Sequence, residues 1–212
     1  MDSLPVFIAK VFFGFFAIMN PVANAPIFVG LVADFDEDQK KVIARRSVIT
    51  AFVVTAVFSL AGKLIFELFG LTLPAFRITG GILIFMVGLE LLQGRLSKVQ
   101  SPASANGKTA RDSALRVAIS PLAVPILAGP GTVATAMNFA ATGPLLRVAS
   151  AIAIFGLLCL VTYWFFIYGE RVISFLGEGV VNVISRLMGL ILAVIGTEMV
   201  LLGVRGAFEI IR

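Results

Sequence analysis

Histidine is absent from this chain of 212 residues, and cysteine occurs once, as Cys159. The first absence removes the commonest proton shuttle and metal ligand. The second excludes an intramolecular disulfide, and the apolar neighbours of Cys159 suggest simple packing. Charge is scarce as well. Charged residues make up 14% of the chain, against about a quarter in a soluble domain. There is no Gly-x-Ser-x-Gly elbow, and no paired aspartates stand in the apolar stretches. A Ser–Lys hydrolase would need Lys63 near Ser120, far along the chain. The chain is read as not an enzyme, with no cofactor and no metal expected. Its formal charge of +5 comes without an aromatic-interleaved basic patch, so nucleic acid is not an expected partner.

Hydrophobic residues, by contrast, make up 59% of the chain, and they come in long blocks. Blocks of roughly 18 or more apolar residues read as membrane-spanning helices. Six can be drawn, at 4–32, 48–69, 71–92, 117–141, 148–168 and 187–204. The first does not read as a signal peptide, because its only early positive charge is Lys10 and it runs too far before a polar break. The long polar stretch "RLSKVQSPASANGKTARDSALR" separates blocks three and four and reads as a flexible linker. Under six crossings, Lys40, Lys41, Arg45, Arg46, Arg95, Lys98, Lys108, Arg111, Arg116, Arg171 and Arg186 share one side. Only Arg77, Arg147, Arg205 and Arg212 flank the other. The basic side is cytoplasmic by the positive-inside bias, which puts both termini outside a cell membrane, the inner membrane in bacteria.

The halves resemble one another. "MNPVANAPIF" from Met19 parallels "ISPLAVPILAGPG" from Ile119, with Asn20-Pro21 against Ser120-Pro121 and Pro26 against Pro125. "FELFG" parallels "ISFLG", and "RITGGILIFMVGLELLQG" from Arg77 parallels "RLMGLILAVIGTEMVLLG" from Arg186. Glu90 then meets Glu198 after a one-residue slip. Each half has three blocks, so a second copy would lie upside down, the plan of many secondary transporters. The expected fold class is all-α: a polytopic membrane protein with six transmembrane spans as a 3+3 inverted repeat. Residues 1–96 form the first three-helix repeat, 97–113 the cytoplasmic linker and 114–212 the second repeat, in one transmembrane domain.

Prolines interrupt the first block of each half. Pro21 and Pro26 should split block one into two short helices, and Pro121, Pro125 and Pro130 should do the same in block four. Lipid tolerates such breaks only where they line a cavity or are buried in protein. Corresponding breaks in inverted halves point to a transport site. At "AGPGT", Pro130 suits a first helical turn, Gly131 admits close approach and Thr132 can cap or donate. A half-helix starting there offers free amides to a carboxylate. Asn24 is placed to cap the second half-helix of block one, and Asn20 and Asn24 can offer side-chain carbonyls to an ammonium. The expected substrate-binding residues are Asn20, Pro21, Asn24, Pro26, Ser120, Pro121, Pro125, Gly129, Gly131 and Thr132. No formal charge stands at the breaks, which suits a net-neutral ligand. A re-entrant course for blocks one and four fits the charge distribution equally.

Glu90 and Glu198 lie toward the ends of spans three and six and are candidates for coupling or gating; a proton or sodium ion would be the coupling cation. Gly81 and Gly88, and Gly189, Gly196 and Gly203, recur every seven residues and make smooth faces for close helix packing. Lys63 and Glu67 share a helix face, and "TYWFFIY" reads as an interfacial aromatic belt.

The pairing of "NPVANAP" with "SPLAVPILAGPG" resembles the MarC family of membrane proteins, also called the neutral amino acid transporter family. The P-x-x-x-P-x-x-x-G-P-G spacing stands intact as Pro121, Pro125, Gly129, Pro130 and Gly131. The resemblance covers nearly the whole chain. It implies six spans in the cytoplasmic membrane and transport of small neutral amino acids such as alanine or glycine. The three-plus-three plan is also similar to the lysine-exporter superfamily, which leaves export open. Efflux of drugs or other metabolites, and a membrane role without transport, are the competing functions.

Overall fold

The computed structural model describes residues 4–33, 35–94, 127–141 and 144–211. These residues form helices and no strand. The helices are α1 (Leu4–Met19), α2 (Pro21–Leu31), α3 (Glu37–Phe69), α4 (Leu73–Leu92), α5 (Pro130–Ala141), α6 (Leu145–Ile167) and α7 (Gly169–Ile211). Local chemistry sets their limits. Asp36 and Gln39 close a reciprocal capping box at the start of α3. Gly70, at φ 62°, ends that helix in the left-handed conformation, and Thr72 caps α4 two residues later. Gly177, at φ 77° and ψ 150°, interrupts α7, so the membrane-spanning part begins at Gly179.

Five stretches are long and apolar enough to cross a membrane: Leu4–Leu31, Glu37–Gly62, Leu73–Leu92, Leu145–Ile167 and Gly179–Phe208. The α3 surface is arranged for lipid. Ile49, Val53, Val57, Leu60 and Leu64 are each more than half exposed, while Ser47, Thr55 and Ser59 are buried on the opposite face. A soluble helix would reverse this pattern. The sixth expected crossing is block four, which is described only from Leu127. Its α5 has 12 residues, short of the ~20 a span needs. Ser120, Pro121, Pro125 and the linker at 97–113 lie outside the described residues.

Side-chain contacts settle the course of block one. Arg147 lies over the Phe7 ring at 5.1 Å, Phe15 meets Phe155 at 4.9 Å, and Phe28 stacks on Phe166 at 4.4 Å. The α1–α2 pair therefore runs parallel to α6 from end to end. From residue 147 to 166 a helix rises roughly 28 Å, so α1–α2 follows α6 over a length sufficient to cross a bilayer and does not turn back on itself. Against the same helix α3 is antiparallel: Phe52 faces Gly156, and Lys40 pairs with Glu170 at 3.7 Å.

The closest helix contact joins α4 and α7. A Cβ on Gly81 would stand 2.6 Å from the Gly196 carbonyl oxygen, and one on Gly88 would stand 2.7 Å from that of Gly189. Gly203 meets Pro74 in the same way. The two backbones touch along an antiparallel seam that only residues without a side chain permit.

Candidate functional site

The first break is one residue wide. Asn20 adopts φ 37° and ψ 65°, the left-handed region, between α1 and α2. Asparagine tolerates this better than other side-chain-bearing residues. Its Oδ1 accepts from the Ala23 backbone N–H at 3.3 Å and so caps α2, with Pro21 in the first turn. Asn20, and not Asn24, is thus the cap. Asn24 instead donates its Nδ2 to the carbonyl of Met19, the last residue of α1, at 2.6 Å. Pro26 sits inside α2 without splitting it. A proline forfeits its own helical hydrogen bond, but the chain changes direction only where a neighbour also leaves helical dihedrals, and here that neighbour is Asn20.

The second described break falls at Ala128–Gly129, and α5 begins at Pro130. Thr132 donates its hydroxyl back across the break to the Leu127 carbonyl at 2.9 Å. This repeats the Asn24–Met19 bond. Thr132 follows Asn24 by 108 positions, and Leu127 follows Met19 by the same 108. In each break a polar side chain reaches back five residues to a carbonyl that the interrupted helix has freed.

The breaks meet. Ile84 of α4 packs in one buried cluster with Ala17 and Ile18, just ahead of the first break. A Cβ on Gly131 would lie 3.5 Å from the same Ile84. Met19, Leu127 and Ala128 share the neighbouring cluster with Phe15 and Phe155. Asn20, Pro21, Asn24, Gly129, Gly131 and Thr132 are all buried, and Pro26 is half-buried. Among the described residues, one polar group at the breaks is unused: the Asn20 Nδ2 is buried and finds no hydrogen-bond partner there. Its oxygen serves the cap, so Asn20 presents a donor, where its sequence position suggested an acceptor for an ammonium.

Two cavities flank the breaks. One, of about 440 Å³, lies between the end of α2 and the starts of α3 and α7, with Lys40, Glu170 and Arg171 around it and the Phe28–Phe166 stack beneath. The other, of about 510 Å³, is a groove between α1, α5 and α7. Along α1–α2 the residues of this groove end at Gly14, and those of the first cavity begin at Phe28. The Asn20–Asn24 segment lies between and lines neither.

Glu198 lines the groove, and Glu90 is half-buried on α4, so the two carboxylates are not brought together. Sequence reasoning passed over Thr135 and Asn138, which also face the groove. Thr135 could have been found, because it follows Thr132 by three residues and shares its helix face. The Asn138 Oδ1 accepts from Arg77 Nε at 2.8 Å, which draws Arg77 into the bundle from the flanking position its sequence suggested.

The model of the MarC family, described as "MarC family integral membrane protein", matches residues 5–208. The UPF0056 membrane protein YvbG of Bacillus subtilis is 40% identical, covering 97% of each chain. A UPF0056 membrane protein of Pyrococcus abyssi is 38% identical over 95% of this chain and 96% of its own. The UPF0056 membrane protein YhcE of Escherichia coli is 29% identical over 97% and 95%. No solved structure matches.

Proposed function

This chain belongs to the MarC family of integral membrane proteins, and from that premise we propose that it is a secondary transporter of small neutral amino acids, of the alanine and glycine class. The observation that carries this reading is the meeting of two matched helix breaks around Ile84 with an unpartnered Asn20 donor between them. A substrate carboxylate would accept from Asn20 Nδ2 and from the open amides at the start of α5. Its ammonium would take the carbonyls of Met19 or Leu127, now held by Asn24 and Thr132. Those two bonds are then stand-ins that a substrate displaces.

A six-span, 3+3 inverted repeat completes the proposal, and the packing supports it. The paired groups share one offset: Gly81 and Gly189, Gly88 and Gly196, and Glu90 and Glu198 are each 108 positions apart, as are the two break bonds. A two-fold axis also requires contacts to be reciprocal. Gly81 meets Gly196, and its image contact, Gly189 against Gly88, is present. With one cavity toward each end of the bundle and the breaks closed between them, this conformation reads as an occluded stage of alternating access. The basic end at Lys40 and Arg171 would be cytoplasmic in a cell (inner) membrane. A proton or sodium ion would couple through Glu90 or Glu198.

Proteoliposome uptake and counterflow of labelled alanine, glycine and serine test this reading. Wild-type flux is expected to exceed that of Gly131→Leu, whose side chain would be driven toward Ile84. Equal flux in the two would remove transport of these amino acids as the function. A drug-sensitivity phenotype without such flux would favour efflux of other compounds.

A further inference from the structure

Three buried side-chain polar atoms lack a hydrogen-bond partner among the described residues: Asn20 Nδ2, Thr55 Oγ1 and Thr135 Oγ1. Asn20 belongs to the first break, and Thr135 lines the groove between α1, α5 and α7. Thr55 stands on α3, away from both breaks in sequence, and is 1% exposed. A helical threonine has a simple remedy, a bond to the carbonyl four residues back. Ser47, Ser59, Thr79, Thr162 and Thr197 all take it. Ser47 and Ser59 share the buried face of α3 with Thr55. Of those three, only Thr55 leaves the remedy unused. A buried hydroxyl in that state destabilises a fold and calls for an explanation.

The packing places Thr55. Helix α7 starts beside Lys40 and comes to Pro74, just past the end of α3, near its own end, so α7 runs with α3. Helix α4 runs against α7. Helix α5 runs against α4, because Gly131 faces Ile84 while Ala134, one turn on, meets Gly80, one turn back. It follows that α5 runs with α3. The two pack together, with Met137 3.8 Å from a Cβ built on Gly62. Seven residues back is two turns on each helix. There stand Thr55, on the face of α3 that Gly62 presents, and Pro130, at the start of α5. Ala51, one turn before Thr55 on that face, is buried in the same cluster as Leu127 and Ala128. The unused hydroxyl thus lies beside the second break, at a helix start whose Gly131 and Thr132 amides have no acceptor within α5.

The donor set narrows the ligand. The Asn20 nitrogen and the two amides only donate, and the Thr55 hydroxyl can donate with them. The carbonyls freed at Met19 and Leu127 are taken by Asn24 and Thr132. None of these donors carries a formal charge. Such a set suits an acceptor bearing one negative charge, a carboxylate.

We infer that Thr55 is a further substrate-binding residue, whose hydroxyl completes the carboxylate site at the start of α5; the assignment rests on the transport reading above. The site then draws on three segments: the first break through Asn20, α5 through its amides and α3 through Thr55.

Full-length protein in phosphatidylcholine nanodiscs, titrated with labelled L-alanine, provides the test. Thr55→Val is expected to weaken L-alanine binding by about tenfold or more. Its melting temperature should be unchanged or higher, because it deletes an unpartnered buried hydroxyl at similar volume. Thr55→Ser keeps the hydroxyl and should keep binding. Ser59→Ala should bind as the wild type does, since the Ser59 hydroxyl is spent on the Thr55 carbonyl. L-Alaninamide, which lacks the carboxylate, should not distinguish Thr55→Val from the wild type. Three results each overturn the assignment: wild-type L-alanine affinity in Thr55→Val, an equal loss for alanine and alaninamide, or a Thr55→Ser that binds no better than Thr55→Val. A lower melting temperature in Thr55→Val would mean that the hydroxyl is partnered in the folded protein, and it overturns the assignment as well. If Gly131→Leu still stops uptake, each of these leaves the transport reading standing. No binding of alanine, glycine or serine by the wild-type chain overturns both.

Discussion

Asn20 concentrates three tasks in one side chain: it accepts a left-handed backbone, caps α2 with its oxygen and leaves its amide nitrogen unpaired. Substitutions separate these tasks. Asn20→Ala loses the cap, worth about 1 kcal/mol, and strains the backbone by about 1–2 kcal/mol more. Asn20→Gly relieves the strain, and a glycine cap costs only a few tenths of a kcal/mol. The melting temperature in detergent is therefore expected to fall clearly for Asn20→Ala and little for Asn20→Gly, while both lose alanine binding. Full alanine binding by a stable Asn20→Gly would show that the amide nitrogen has no part in recognition. At this scale the sequence located the break, because "NP" within an apolar run has few other uses. It did not assign the cap or the donor. Those depend on which of Asn20 and Asn24 enters the left-handed region, and both asparagines stand close to a proline. The same ambiguity affects the second half. Aligning prolines pairs Asn20-Pro21 with Ser120-Pro121, whereas the matched hydrogen bonds pair Asn24 with Thr132. Side-chain reach, not proline position, sets that register.

Elements meet where glycine lets them, and the seven-residue glycine spacing announced two smooth faces without naming their partners. Spacing describes one helix surface; which helix covers it depends on the fold of the whole chain. The structure pairs the two faces with each other, and there a methyl group has nowhere to go. A Cβ on Gly88 would lie 2.5 Å from the Ala193 backbone nitrogen, a position held by main chain and not by a side chain that can swing aside. Gly88→Ala is expected to cost about 1–3 kcal/mol as overpacking, read as a lower melting temperature and lower yield of folded protein. Gly179→Ala makes the contrast. It is helical, with nothing within 4 Å of the added carbon, so the higher helix propensity of alanine should leave stability unchanged or raise it by up to about 1 kcal/mol. Equal losses at both positions would mean that the α4–α7 seam is not the tight contact described. The all-helical class was legible from block length alone. The inward polar stripe of Ser47, Thr55 and Ser59 was less so, because hydropathy averages over both faces of a helix.

For the whole molecule, the open question was whether blocks one and four cross or turn back, and the basic residues distribute the same way in either case. Contact order decides it for block one, since Phe7, Phe15 and Phe28 meet successive turns of α6. For block four the argument runs through its neighbours. Because α3 is antiparallel to α6, the end of α3 and the start of α6 lie at the same end of the bundle. Between them the chain passes through α4 and block four. The proposed six-span plan has block four carry the chain back to the starting face, and that is what labelling can test. Phe69 and Leu145, 74% and 76% exposed, mark that face; Glu37 and Glu170 mark the other, beside Lys40. Single cysteines at these four positions, in a background with the buried Cys159 replaced by alanine, can be probed with an impermeant maleimide in sealed right-side-out vesicles. Phe69→Cys and Leu145→Cys are expected to react at once, and Glu37→Cys and Glu170→Cys only after the membrane is opened, if the basic end follows the positive-inside bias into the cytoplasm as proposed. A uniform reversal would invert the proposed orientation and leave the six-span proposal standing. Reaction of Phe69→Cys and Leu145→Cys on opposite sides would mean that block four turns back, and the two halves could not then be inverted copies of one another.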